Sequence, residues 1–149
     1  MTEILFYHLT ESTLEDALPP LLERSLERGW KVVVEAGSEE RVTSLNSHLW
    51  TYKEDGFLPH GAAMDAYPEE QPVFLSTDAA NPNGANVRFH VDGSMPAMVE
   101  SYIRVVLMFD GHNNTQTADA RTAWKRLKSE GHDLTYWQQN QDRRWEKKA

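Results

Sequence analysis

Short runs of continuous or alternating apolar residues take turns along this chain with longer stretches whose apolar residues recur every three or four positions. That pattern belongs to strands alternating with amphipathic helices. Ile4-Leu5-Phe6-Tyr7-His8-Leu9 predicts a first strand. Thr10 to Thr13 supply candidate N-caps for a helix with Leu14, Leu18, Leu21, Leu22 and Leu26 on one face, ended by Gly29. Pro19 and Pro20 each remove a helical hydrogen bond, so a late start is expected, with one of them in the first turn. Lys31-Val32-Val33-Val34 has the near-continuous β-branched character of a buried parallel strand. Gly37 to Glu40 opens a second helix, with Ser38 as its cap and Val42, Leu45 and Leu49 facing inward.

The middle of the chain is strand-rich. Phe57-Leu58-Pro59-His60 is a short apolar segment, Pro72 to Ser76 a strand, and Asn86 to Val91 an alternating strand. Asn81-Pro82-Asn83-Gly84 marks a turn between the last two. Arg104 to Phe109 predicts another strand, because its paired valines and the following Asp110-Gly111 outweigh continuation of a helix from near Pro96. A final helix runs from about Asn114 to Glu130 and stops at Gly131. These elements imply an α/β fold, a three-layer α/β/α arrangement with a mostly parallel sheet. Residues 1–133 are expected to form one domain, with 134–149 as an aromatic and basic tail of the same domain.

Charge is distributed unevenly. The 149 residues carry a net −8, yet residues 1–120 sum to −12 and residues 121–149 to +4. Broad binding of duplex DNA, which relies on many cationic contacts, does not suit such a chain. With no cysteine, disulfides, thiolate metal sites and a cysteine nucleophile are excluded. Met1-Thr2-Glu3 lacks the basic start of a signal peptide, and no apolar run approaches the roughly 18 residues of a membrane span, so a cytoplasmic protein without membrane contact is expected.

Catalytic and cofactor motifs are thin. The segment after the first strand, Leu9-Thr10-Glu11-Ser12, is acidic and lacks the glycines that let a pyrophosphate approach a helix N-terminus. His8, His48, His60, His90, His112 and His132 lack the pairing that puts two imidazoles on one metal, and read as loop or surface histidines. His90 and Asp92 share a strand face without a nucleophile. No enzyme, cofactor or metal is expected.

Three features suit partners. The last helix carries Arg121, Trp124, Lys125 and Lys128 at i, i+3, i+4, i+7, a stripe that faces a core when apolar but is cationic here. Its apolar side is Ala120, Ala123 and Leu127, so Trp124 falls between the two and can wall a pocket rimmed by Arg121, Lys125 and Lys128. An apolar floor with a cationic rim suits an acidic peptide ending in a hydrophobic residue and a free carboxylate. Next, Trp50 and Phe57 flank a short polar loop and can meet as a local cluster or an interface. Last, Tyr136-Trp137 and Arg143-Arg144-Trp145 interleave aromatics with cations, which suits base stacking, protein docking or folding back onto the domain.

Taken in order, Phe6-Tyr7-x-Leu9, Trp30 to Val34 after a glycine-ended helix, Leu49-Trp50, Phe57 to His60, Pro72-Val73 and Trp124-Lys125 to Gly131-His132 resemble the chi subunit of bacterial DNA polymerase III across essentially the whole chain. The resemblance implies a Rossmann-like fold that binds no nucleotide and a non-catalytic accessory subunit of the clamp-loader assembly. It implies binding to the acidic C-terminal tail of single-stranded DNA-binding protein through Arg121, Trp124 and Lys125, with Lys128 and Phe109 nearby. It also implies a psi-subunit interface at Trp50 and Phe57, with single-stranded DNA engaged indirectly. Thr117 stands where the family can carry a further lysine. Direct single-strand binding by the basic helix and tail is the alternative.

Overall fold

The computed structural model describes residues 2–51, 61–62, 72–77, 84–95, 99 and 102–148, with backbone alone for 49–51 and 61–62. In chain order the elements are β1 (Glu3–Leu9), α1 (Leu14–Glu27), β2 (Val32–Glu35), α2 (Glu39–Thr51), β3 (Gly61–Ala62), β4 (Val73–Ser76), β5 (Val87–His90), β6 (Arg104–Asp110), α3 (Asn114–Ser129), β7 (Asp133–Gln139) and β8 (Trp145–Lys147). The strands form one sheet in the order β3-β4-β2-β5-β6-β1-β7-β8. Its pairings are parallel except β7 with β8.

Strand parity sorts the core into two layers. Leu5 and Leu9 of β1, Val32 and Val34 of β2, and Val106 and Met108 of β6 pack with the leucines of α1 and with Val42 and Leu45 of α2. Ile4, Phe6, Val33, Val105, Leu107 and Phe109 face the other way, onto Ala120, Ala123 and Leu127 of α3. Helices therefore cover both sheet faces, which is why the central strands are apolar on consecutive residues. The expected three-layer fold is present.

The caps follow the sequence. Thr13, Ser38 and Asn113 accept from the backbone N–H three residues on. Gly29 and Gly131 close α1 and α3 with positive φ, a conformation other residues resist.

One expectation about the elements is corrected. α1 begins at Leu14, and both prolines lie inside it rather than in its first turn. Pro19 frees the Glu15 carbonyl from its usual i+4 donor, and His48 Nε2 of α2 donates to that oxygen at 2.7 Å. A donor from the neighbouring helix thus offsets what the proline removes. Residues 133–147, which take in most of the expected tail, contribute β7 and β8. β7 pairs with β1 along nearly its full length, so this segment is part of the sheet. Phe57 to His60 and the turn residues 78–83 lie outside the described residues.

Candidate functional site

α3 divides as its spacing requires: Ala120, Ala123 and Leu127 are buried, Trp124 is half-buried, and Arg121, Lys125 and Lys128 are exposed. Between α3 and the sheet lies a cleft of about 300 Å³ lined by Phe109, Thr117, Ala120, Arg121, Trp124, Lys125 and Tyr136. Phe109, only 2% exposed, is presented by β6. Tyr136 comes from β7, which places it beside Phe6 in the neighbouring strand. Lys128 lies one turn beyond Lys125 and does not line the cleft.

The cleft is held open by aromatic contacts that fix its walls. Trp124 meets Phe6 edge-on, with ring centroids 5.2 Å apart, and meets Tyr136 edge-on at 5.8 Å. Tyr136 also contacts Phe109 at 6.1 Å and stacks on Phe6 at 6.4 Å. Such offset and edge contacts each add about 0.5–1.5 kcal/mol beyond area burial. Behind this wall the Tyr136 hydroxyl lies 2.7 Å from His8 Nδ1, and the His8 ring stacks on Phe109. Burial holds the His8 pKa below its ordinary value, and His112 and Arg121 add to that effect. Burial likewise raises Tyr136, although Arg121 opposes it. Both shifts favour a hydrogen bond between two uncharged groups, the phenol and the imidazole. Gly111 lets β6 leave the sheet beside His8, because a Cβ there would stand 2.3 Å from Nε2.

The larger cavity, about 540 Å³, lies elsewhere, at the carboxyl ends of β1 and β6. The connections from these adjacent strands pass to opposite faces, so this is the switch point where open α/β sheets hold ligands. Its lining includes Glu11, Glu15, Asp92 and Asp110 against Arg41 and His112, which is unsuited to phosphates. Its anion cradle is also filled from within. Gln139 Oε1 accepts from the backbone N–H groups of Thr10, Glu11 and Ser12, at 3.3, 3.2 and 3.0 Å. Gln139 Nε2 donates to Ser12 Oγ. A nucleotide phosphate would need the N–H groups that Gln139 occupies.

Among the described residues the remaining predicted groups form no second cluster. Trp50 lies near the end of α2, and Phe57 lies outside the described residues. His90 is buried in β5 rather than lying on a loop or surface, and its partner is not Asp92. Its Nδ1 donates at 2.9 Å to Ser94 Oγ, which donates on to Glu35; Arg88 also pairs with Glu35. Among the described residues no group of three or more His, Cys, Asp or Glu is placed to hold a metal ion. No helix among them is long and apolar enough to cross a membrane.

Tyr136 is the site residue that helix spacing missed. Its signal was the run Leu134-Thr135-Tyr136-Trp137, free of glycine and proline and bounded by Gly131 and Asn140, which has strand composition.

The family described as DNA polymerase III chi subunit, HolC, matches residues 1–135. A probable DNA polymerase III subunit chi of Rickettsia prowazekii (strain Madrid E) is 30% identical over 108 residues, covering 70% of this chain and 66% of that protein. The DNA polymerase III subunit chi of Haemophilus influenzae (strain ATCC 51907 / DSM 11121 / KW20 / Rd) is 23% identical over 134 residues, covering 87% of this chain and 92% of that protein. The residues matched include every lining residue of the α3 cleft except Tyr136, which lies one position beyond the family match. The chain belongs to the chi-subunit family of DNA polymerase III.

Proposed function

We propose that the α3 cleft binds the acidic C-terminal tail of single-stranded DNA-binding protein and thereby tethers the clamp-loader assembly of DNA polymerase III to the coated strand. One observation carries this function: in a chain of net −8, an apolar cleft of about 300 Å³ opens between Trp124, Tyr136 and Phe109 with the exposed cations Arg121 and Lys125 at its rim. An apolar terminal side chain fills the cleft. Its carboxylate pairs with Arg121, whose planar fork suits a carboxylate, and Lys125 meets the acidic residues before it. Lys128, one turn on, extends the cationic track without touching the anchor.

The role is non-catalytic and needs no cofactor. One tail gives a weak bond, but an oligomeric DNA-binding protein displays several, so effective concentration keeps the polymerase near the strand. By the family resemblance we place the psi contact on Trp50 and Phe57. α2, which carries Trp50, lies on the opposite sheet face from α3, so both partners can be held at once.

Amide chemical-shift mapping tests the location. Adding an acidic peptide that ends in phenylalanine is expected to shift resonances of α3, Phe109 and Tyr136. Shifts confined to α1 and α2 would refute the assignment.

A further inference from the structure

On the face opposite α3, at the amino end of the sheet, lies a smaller cleft of about 110 Å³ lined in part by Tyr7, Arg24, Arg28, Trp30 and Arg104. Three of its lining residues are arginines and none is aspartate or glutamate, within a chain that is strongly acidic over residues 1–120. Two of the guanidinium groups sit on one indole, with Arg28 Cζ 5.1 Å and Arg104 Cζ 5.0 Å from the Trp30 ring centroid. Arg24 and Arg28 are one turn apart on α1 and exposed, and neither is in an ion pair among the described residues.

An ordinary role exists for part of this cluster, since cations near a helix C-terminus stabilise the helix. That accounts for Arg24 and Arg28. It does not account for Arg104, which comes from the first position of β6 and turns onto the same indole. Arg104 also pairs with Glu3 at 2.8 Å, which leaves Arg24 and Arg28 as the cleft's unpaired cations among the described residues. Tyr7 senses this cluster: burial raises its pKa and Glu3 adds to that, while Arg104, Arg24 and Arg28 pull it down.

We propose that this cleft binds a phosphate group of single-stranded nucleic acid. Its volume is about a third of that of the α3 cleft, too small for an aromatic anchor but adequate for a tetrahedral oxyanion. Guanidinium groups held over an indole still have N–H donors for phosphate oxygens, and aromatic and guanidinium planes are surfaces on which an unpaired base stacks. The site is separate from the tail-binding cleft, being on the other side of the sheet and built from other residues.

The test is fluorescence anisotropy of a labelled oligothymidylate titrated with the full chain at low salt. Wild type is expected to bind, and Arg24→Gln combined with Arg28→Gln to weaken binding about fivefold or more. The slope of log K against log salt should flatten by about 0.7 for each phosphate that the variant no longer engages. Both positions are exposed, and the double variant is expected to keep a cooperative thermal transition, lowered only by the loss of two cations at the end of α1. Arg121→Ala with Lys125→Ala should leave oligonucleotide affinity unchanged, and the acidic peptide should not displace the oligonucleotide. Three results would each overturn the proposal: no binding by wild type, an unaffected Arg24/Arg28 variant, or loss of binding in the Arg121/Lys125 variant. None of these concerns peptide binding by the α3 cleft, so the two assignments fail independently.

Discussion

Arg121 and Lys128 carry the same charge on the same helix face, and only Arg121 lines the cleft. Arg121→Ala is therefore expected to weaken tail-peptide binding about tenfold or more, since a hydrogen bond to a charged group contributes about 1.5–3 kcal/mol. Lys128→Ala should change it less than about threefold, as suits an exposed cation. Isothermal calorimetry distinguishes the two. At this scale the sequence was informative for α3, where spacing alone placed Trp124 between the buried alanines and the exposed cations. It was silent on Tyr136 and His8, because their partnership spans 128 positions and depends on β7 pairing with β1.

Among the elements, β7 was the least legible. Leu134 to Gln138 are all half-buried, because β7 lies near the sheet edge and neither face is fully covered. The inside-outside contrast that marks a strand is flattened there, and a mixed aromatic and polar run reads as a tail. The central strands, covered on both faces, announced themselves through their valines. Gln139 at the end of β7 ties this late element to the loop after β1. Gln139→Ala leaves three backbone donors without their acceptor and is expected to cost about 1–3 kcal/mol in denaturant unfolding. A loss under about 0.5 kcal/mol would mean that water replaces the amide there. Truncation after His132 removes the strand that covers the open side of β1 and the stacking partner of Phe6. The shortened chain is expected to lose its cooperative thermal transition, whereas truncation after Asn140 removes only β8 and should keep it.

For the molecule as a whole, acid stability follows from buried groups. His8 and His90 have pKa values lowered chiefly by burial, so the unfolded chain takes up their protons first and stability declines as pH falls through about 6.5. Burial alone would raise the Glu35 carboxyl, but the adjacent His90 imidazole and the hydrogen bonds from Ser94 and Arg88 outweigh it and lower the pKa to about 2. Its contribution is complete above the unfolded value of about 4.5 and is lost as pH falls toward 2. Unfolding free energies across pH 7 to 2 should therefore fall in two stages, and Glu35→Gln should remove the lower one.

The charge asymmetry between residues 1–120 and 121–149 also belongs to this scale. It confines attraction for acidic peptides to α3 and its surroundings, and it makes that attraction weaken with salt. The measurement that bears most directly on tethering is calorimetric titration with an acidic peptide ending in Pro-Phe, beside its C-terminally amidated form, on wild type and Arg121→Ala. Micromolar binding by wild type that is lost on amidation and on removing Arg121 is the predicted result. Equal binding of the free and amidated peptides, or no binding by wild type, would contradict the role assigned to the α3 cleft.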